Sequence, residues 1–118
     1  MNTLIVAGQS VPSPEPTEDR PRPDRLVHGN PRRLTWDCYT SGPMSTGFWE
    51  CDPGMWRIAF AANKQEFFQV IQGRVRLHDA DGRFQEIGPG DAAIIPPGFT
   101  GAFEVVEAVR KYYVLVET

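Results

Sequence analysis

The sequence is poor in histidine, in cysteine and in long apolar runs, and each shortage excludes a class of protein. The chain of 118 residues has only 2 histidines and only 2 cysteines. Two cysteines are too few for a scaffold held by several disulfides. No apolar run approaches the ~20 residues that a membrane-spanning helix needs. Residues 4–7 are apolar, but they are too few and lack the basic flank of a secretion signal. We therefore expect an unexported protein without a membrane partner.

An excess of charge of one sign is also missing. The chain carries 12 basic and 15 acidic residues, a formal net charge of −3 at pH 7, so we expect no nucleic-acid partner. Cys38 and Cys51 are expected to be free thiols in a reducing compartment, which predicts a cytoplasmic protein. A chain of 118 residues accommodates one domain of ordinary size.

Aromatic residues are absent before Trp36, although the chain has 7 phenylalanines, 3 tyrosines and 3 tryptophans. Six of the 11 prolines lie in the first 31 residues, among charges of both signs. Because proline fixes φ and lacks an N–H, this stretch cannot join a helix or a ladder for long. We predict that residues 1–33 form an N-terminal arm, either extended or partly disordered. Alternatively, the arm crosses a neighbouring subunit and residues 4–6 add an edge strand there.

After Trp36, short apolar or alternating runs recur about every ten residues, with turn residues between them. No window shows the apolar spacing of a helix, so about eight short strands predict an all-β sandwich or barrel. The clearest hairpin turn is residues 80–82, between Leu77 and Phe84. Successive strand side chains point to opposite faces, so Glu66 shares a face with Phe68 and Val70.

One spacing in this region resembles a known sequence motif. Gly54, Phe60, Ala62, Glu66 and Gly73 stand at the positions of the first cupin motif, G-x5-H-x-H-x3-4-E-x6-G. Both histidine positions of that motif are therefore replaced, by Phe60 and Ala62. The glutamate and the two framing glycines are present.

A second spacing resembles the other cupin motif, G-x5-P-x-G-x2-H-x3-N. Gly90, Pro96 and Gly98 match it, whereas its histidine falls on Gly101 and its asparagine on Val105. The resemblance implies a double-stranded jelly roll. The expected fold is thus an all-β, single-domain cupin of residues 34–118 with an extended N-terminal arm.

Further segments narrow this resemblance to one cupin subfamily. They are similar to the ureidoglycine-aminohydrolase-type cupin domain, and also to the Q-type cupins of ethanolamine utilisation. The segments are Trp36 and residues 47–50, 53–57, 66–67, 73–75, 96–101, 104–107 and 110–112. One scaffold hosts many functions, so the resemblance is a stronger guide to fold than to activity.

The metal site implied by the cupin resemblance lacks its ligands in this sequence. Metal-dependent cupins bind their ion with three histidines and one glutamate, and here the histidine positions carry Phe60, Ala62 and Gly101. Two histidines in the whole chain cannot supply three imidazoles. A substitute site from the cysteines, His78 and Glu66 has no recognised ligand spacing. We expect no metal and no cofactor.

Glu66 then faces an aromatic interior, which we expect to include Phe60, Phe68, Phe103 and Trp49. Desolvation disfavours the ionised carboxylate, so we expect a raised pKa unless a cation or a donor compensates. A carboxyl group that titrates near neutral pH can act as general acid or base, which makes Glu66 a candidate catalytic residue. Alternatively, Glu66 only accepts hydrogen bonds, from an indole N–H or a tyrosine hydroxyl.

We predict that a small organic molecule binds inside the barrel of a homodimeric protein, since small-molecule sites are apolar with few polar anchors. The predicted ligand-binding residues are Trp49, Phe60, Ala62, Phe68, Gly101, Phe103 and Tyr113. Two other functions stay open. One is an enzyme, a small-molecule hydrolase, isomerase or phosphotransfer-type relative, that uses Glu66 with Tyr113 or another group in the barrel. The other is an interaction protein whose barrel is filled by side chains. The volume of the cavity would distinguish this protein from the other two.

Overall fold

The computed structural model describes residues 2–7 and 15–118, which hold nine strands, one 3₁₀ helix and no α-helix. No helix in those residues has the length and apolarity needed to span a membrane. The 3₁₀ helix is Pro23–Arg25. The strands are β1 Thr17–Asp19, β2 Leu26–His28, β3 Arg33–Ser41, β4 Met44–Cys51, β5 Gly54–Ala59, β6 Lys64–Asp79, β7 Phe84–Ile87, β8 Ala92–Ile95 and β9 Thr100–Glu117.

The two longest strands, β6 and β9, pair with each other along almost their whole length and link two halves of a barrel. In the first half, the start of β6 pairs with β8, and the end of β9 pairs with β4, which pairs with β3. In the second half, the end of β6 pairs with β7, and the start of β9 pairs with β5. Side chains from both halves form one core, so the sheet closes around it as the predicted jelly roll.

The alternation predicted for β6 is confirmed. Phe68 and Val70 are 0% and 1% exposed, whereas Phe67 and Ile71, which point the other way, are 46% and 40% exposed. Glu66 has the parity of Phe68 and Val70 and therefore points into the barrel.

The predicted hairpin is also present. His78 pairs with Phe84 across the turn, and the side chain of Asp79 accepts hydrogen bonds from the N–H groups of Asp81 and Arg83. Gly82 supplies the positive φ, +83°, that this turn requires.

The proline-rich segment contributes two short strands to the same sheet. β1 pairs with β3, and β2 pairs with β5, so residues 20–25 run from one barrel half to the other. We call residues 20–25 the strap. The prolines of this segment limit each strand to three residues but do not keep it off the sheet, a pairing that composition alone did not predict.

Parts of the predicted N-terminal arm are not tested by the structure. Residues 4–6 are exposed and form no strand within the described chain, so their pairing with another subunit is untested. Residues 8–14 of the arm, with Pro12 and Pro14, lie outside the described residues. The division of the chain at residue 33 is likewise untested.

Candidate functional site

A cavity of about 520 Å³ lies inside the barrel, under the strap. Its apolar wall comes from β4, β5, β8, β9 and the β5–β6 turn. That wall consists of Trp49, Trp56, Ile58, Ala59, Phe60, Ile95, Phe103 and Leu115, together with Pro21 of the strap. Its polar wall consists of Arg22, Arg25, Arg33, Thr35, Asp37, Ser45, Lys64, Glu66, Lys111 and Tyr113.

Strand alternation puts a lysine on this inner wall. In β9, Lys111, Tyr113 and Leu115 share one face, and all three line the cavity. Lys111 lies between Trp49 of β4 and Val70 of β6 in the ladder. Only 5% of Lys111 is exposed, which is rare for an ammonium group unless it is paired.

The partner of Lys111 is Glu66. Lys111 Nζ donates a hydrogen bond to Glu66 Oε2 over 2.6 Å, and the two side chains are 6% and 14% exposed. The ammonium also lies 4.6, 4.3 and 5.0 Å from the ring centroids of Trp49, Phe68 and Phe103. Three ring faces and one carboxylate thus replace the water that the charge has lost.

The sequence did not show whether a cation compensates the charge of Glu66, and in the structure Lys111 is that cation. The donor is an ammonium group, in place of the indole or tyrosine hydroxyl that we suggested. Sequence reasoning did not place Lys111 in the site. The signal was present in β9, where Lys111 lies on the same face of the strand as Val109 and Tyr113, which point into the core.

A second polar pair faces the cavity from β9 and β3. Tyr113 donates its hydroxyl hydrogen to Asp37 Oδ1. Gly47 lies between them in the ladder, where a Cβ would come 1.8 Å from the carbonyl oxygen of Trp36. Burial, and then the hydrogen bond and negative charge of Asp37, raise the pKa of Tyr113 far above its ordinary value. The hydroxyl therefore stays protonated and acts as a donor.

Arginines from the strap and β3 complete the cavity wall. Arg33 donates two hydrogen bonds to the carboxylate of Asp19, at 2.9 and 2.6 Å, and its guanidinium lies 5.3 Å from the centroid of Trp56. This pair ties β1 to β3 next to the cavity. Arg22, also on the wall, pairs with Asp24 at 2.9 Å, and both side chains are exposed.

The structure brings together five of the predicted site residues on the cavity wall, namely Glu66, Trp49, Phe60, Phe103 and Tyr113. The other three lie elsewhere. Phe68 is 0% exposed and lies behind the wall, where its ring contacts Lys111. Ala62 is exposed after β5. Gly101 lies within β9, where a Cβ would come 1.9 Å from the carbonyl oxygen of His78.

The residues present do not fit the metal site that the cupin motif implies. Phe60, Ala62 and Gly101 offer no donor atom, and Glu66 is bound to Lys111. No group of three or more His, Cys, Asp or Glu side chains that could hold a metal occurs within residues 2–7 and 15–118. The two histidines, His28 and His78, instead contact one carboxylate, Glu104, at 3.7 and 2.8 Å.

Comparison with solved structures identifies the same fold. A DUF861-family protein of unknown function from Pseudomonas syringae is 22% identical with a TM-score of 0.75, over 86% of this chain and 44% of that chain. The present chain thus spans less than half of that protein. The EutQ protein of Clostridium difficile is 28% identical with a TM-score of 0.66, over 80% of this chain and 76% of its own.

A putative ethanolamine utilization protein Q from Salmonella typhimurium is 20% identical with a TM-score of 0.65, over 87% of this chain and 96% of that one. No curated protein matches this sequence significantly. The family model of the EutQ-like cupin domain matches residues 39–113, from β3 to β9. The chain therefore belongs to the EutQ-like cupin domain family.

Proposed function

We propose that this protein binds a small organic molecule in the cavity of its barrel. The observation that carries the proposal is an internal space of about 520 Å³ with ring faces on its wall. Small-molecule sites usually measure about 300–1,000 Å³ and combine apolar walls with a few fixed polar groups. The pairs of Lys111 with Glu66 and of Tyr113 with Asp37 are fixed polar groups of that kind.

The same cavity argues against a filled barrel. A purely interacting protein would need no internal space, and a closed core would be better packed without it. Here the rings of Trp49, Trp56 and Phe103 pack against one another at centroid distances of 5.3 to 6.2 Å. They form one wall of the cavity and do not fill it.

The test is to fill the cavity. Ser45→Trp places a large side chain on the cavity wall, and Ala80→Trp, in the exposed β6–β7 turn, is the matched control. A set of neutral and charged fragments is titrated while the indole resonances of Trp49 and Trp56 are followed by NMR. We expect at least one fragment to shift these resonances in the parent and in Ala80→Trp, but not in Ser45→Trp. If no fragment shifts them in the parent, the proposed function is wrong.

One observation favours catalysis as a second candidate. Glu66 and Lys111 form a proton donor–acceptor pair whose members both line the cavity. We also propose that the protein is of the ureidoglycine-aminohydrolase type, and turnover of ureidoglycine tests this directly. Glu66→Gln would abolish turnover while fragment binding persists. Unchanged turnover in Glu66→Gln would reject this catalytic role.

We further propose a homodimer that pairs through the outer face of the first barrel half. That face exposes Tyr39, Phe67, Ile94 and Tyr112, and Ile94 is 65% exposed. Phe67 lies beside Ile94 and Val114 in the ladder, so the patch is continuous across β8, β6 and β9. A two-fold axis brings a patch against its own copy, and an uncharged apolar patch is complementary to itself.

The cytoplasmic location stays a proposal as well. Cys38 and Cys51 are both buried free thiols, the state expected in a reducing compartment.

A further inference from the structure

We infer that the ligand of this cavity is a small organic anion with an apolar body, an inference that rests on the proposed function. The first argument is the charge of the wall. Five cationic side chains line the cavity against two carboxylates, although the whole chain has 12 basic and 15 acidic residues. Three of these cations are paired with carboxylates: Arg22 with Asp24, Arg33 with Asp19 and Lys111 with Glu66. Arg25 and Lys64 against Asp37 still leave the wall with a positive excess, opposite in sign to the net charge of the protein.

Both carboxylates of the wall already have partners. Glu66 is paired with Lys111, and Asp37 accepts the hydroxyl hydrogen of Tyr113. A cationic ligand would have to displace one of these partners, and a buried group left unpaired costs free energy. The wall thus opposes a cation.

Two of the cations have no anionic partner among residues 2–7 and 15–118. Within the described residues, Arg25 of the strap forms no side-chain hydrogen bond or ion pair. Lys64 lies with Nζ 4.9 Å from the ring centroid of Phe60, which leaves its N–H donors free for an oxyanion. Both side chains are half-buried, so solvent screens their charge less than it would at an open surface.

Lys111 adds a donor deeper in the barrel. Its ammonium has three N–H donors, and within the described residues only one of them is used in a hydrogen bond, to Glu66. The rings of Trp49 and Phe103 beside it favour a flat or aliphatic body. An anionic group with an apolar body therefore matches the wall, and a carboxylate is its simplest form.

The test compares benzoate with benzamide, which have nearly the same shape and differ in charge. Each is titrated by NMR while the Trp49 and Trp56 indole resonances are followed. We expect benzoate to bind about tenfold more tightly, because hydrogen bonds to charged groups are the stronger ones. Added NaCl should weaken benzoate binding and leave benzamide unaffected.

Matched variants locate the effect in the cavity. Arg25→Gln and Lys64→Gln should each weaken benzoate binding severalfold and weaken benzamide binding less. Arg83→Gln removes the same charge from an exposed turn outside the cavity and should change neither. A loss in Arg83→Gln equal to that in Arg25→Gln would show an effect of overall charge, and would reject the inference.

The two proposals fail in different ways. If benzamide binds as tightly as benzoate, the cavity binds ligands without regard to charge, so the anion inference is wrong and the proposed function stands. If neither compound shifts the indole resonances, and no fragment of the wider set does so, both are wrong. A preference for benzamide would also reject the anion inference.

Discussion

Lys111 and Glu66 are bonded across β6 and β9 although they are not opposite each other in the ladder. Glu66 lies opposite Leu115, and Lys111 lies opposite Val70, yet Nζ and Oε2 are 2.6 Å apart. The lysine side chain therefore runs along the barrel interior and passes the ring of Phe68, 4.3 Å from Nζ. The pair joins two long strands at the wall of the cavity, so its removal should affect both stability and the site.

The first prediction concerns this pair. Lys111→Met keeps an unbranched side chain as far as the position of Cε but leaves Glu66 in the barrel without its cation. We expect a loss of about 2–3 kcal/mol in the free energy of unfolding, at or below the lower limit for a broken buried pair, because water in the cavity can reach Glu66. Urea unfolding measures it.

The double variant Lys111→Met/Glu66→Gln provides the control. It removes both charges, so it should be more stable than Lys111→Met alone. If the two single changes add without coupling, the ion pair contributes nothing and the prediction is wrong.

The sequence predicted the local features of this site better than its long-range ones. Alternation alone placed Glu66 on the inner face with Phe68, because strand parity needs no knowledge of the partner strand. Lys111 could not be assigned to Glu66 in this way, since the β6–β9 register brings together residues 45 positions apart in sequence. Lysine is almost never fully buried unless it is paired, so the residue type alone gave no reason to place Lys111 inside the barrel.

The strap escaped prediction for a related reason. Proline content correctly limited β1 and β2 to three residues each, but whether such strands pair depends on the exposed edges of β3 and β5. Arg22 and Arg25 reach the cavity wall only because that pairing carries residues 20–25 across the barrel. The sequence of residues 20–25 does not by itself indicate that pairing.

The second prediction concerns the buried thiol of Cys51. Burial raises the pKa of Cys51 from 9.0 to about 12, because a thiolate would lose its hydration there. Above pH 9 the unfolded chain releases this proton while the folded chain keeps it. The contribution of Cys51 to stability is therefore complete below pH 9 and is lost as the pH rises through 9 to about 12.

Cys51→Ala removes that contribution. Relative to its own value at pH 8, the free energy of unfolding of the variant should fall less steeply between pH 9 and 11 than that of the parent. Urea unfolding at intervals of one pH unit measures the two slopes. Parallel slopes would show that the thiol does not titrate on unfolding in this range.

The third prediction concerns the proposed dimer. Phe67→Gln places an amide at the centre of the apolar patch on the first barrel half, where Phe67 is 46% exposed. Phe84 is 49% exposed but lies on β7 in the other half, so Phe84→Gln is the matched control. Sedimentation should show a dimer for the parent and Phe84→Gln, and a monomer for Phe67→Gln at the same concentration. A monomeric parent, or equal dissociation of both variants, would contradict this interface.

The last prediction concerns the bend of β6, where the strand passes from one barrel half to the other. Gly73 has a φ of +86°, and a Cβ there would lie 2.1 Å from the carbonyl oxygen of Ala108 in β9. Gly82 has nearly the same φ, +83°, but a Cβ there meets nothing within 4 Å. The two glycines thus differ mainly in the space around them, which separates backbone strain from steric overlap.

Gly82→Ala should cost only the backbone term, about 1–2 kcal/mol. Gly73→Ala carries the same term and must also displace β9, so we expect a loss of more than about 3 kcal/mol. Urea unfolding of both variants measures the difference. Equal losses in the free energy of unfolding would mean that β9 moves away from the new Cβ at no energetic cost. The close approach of β6 and β9 would then not determine the conformation of β6 at Gly73. The cavity should respond in the same order, because β6 and β9 carry Glu66 and Lys111: fragment binding should weaken in Gly73→Ala and persist in Gly82→Ala.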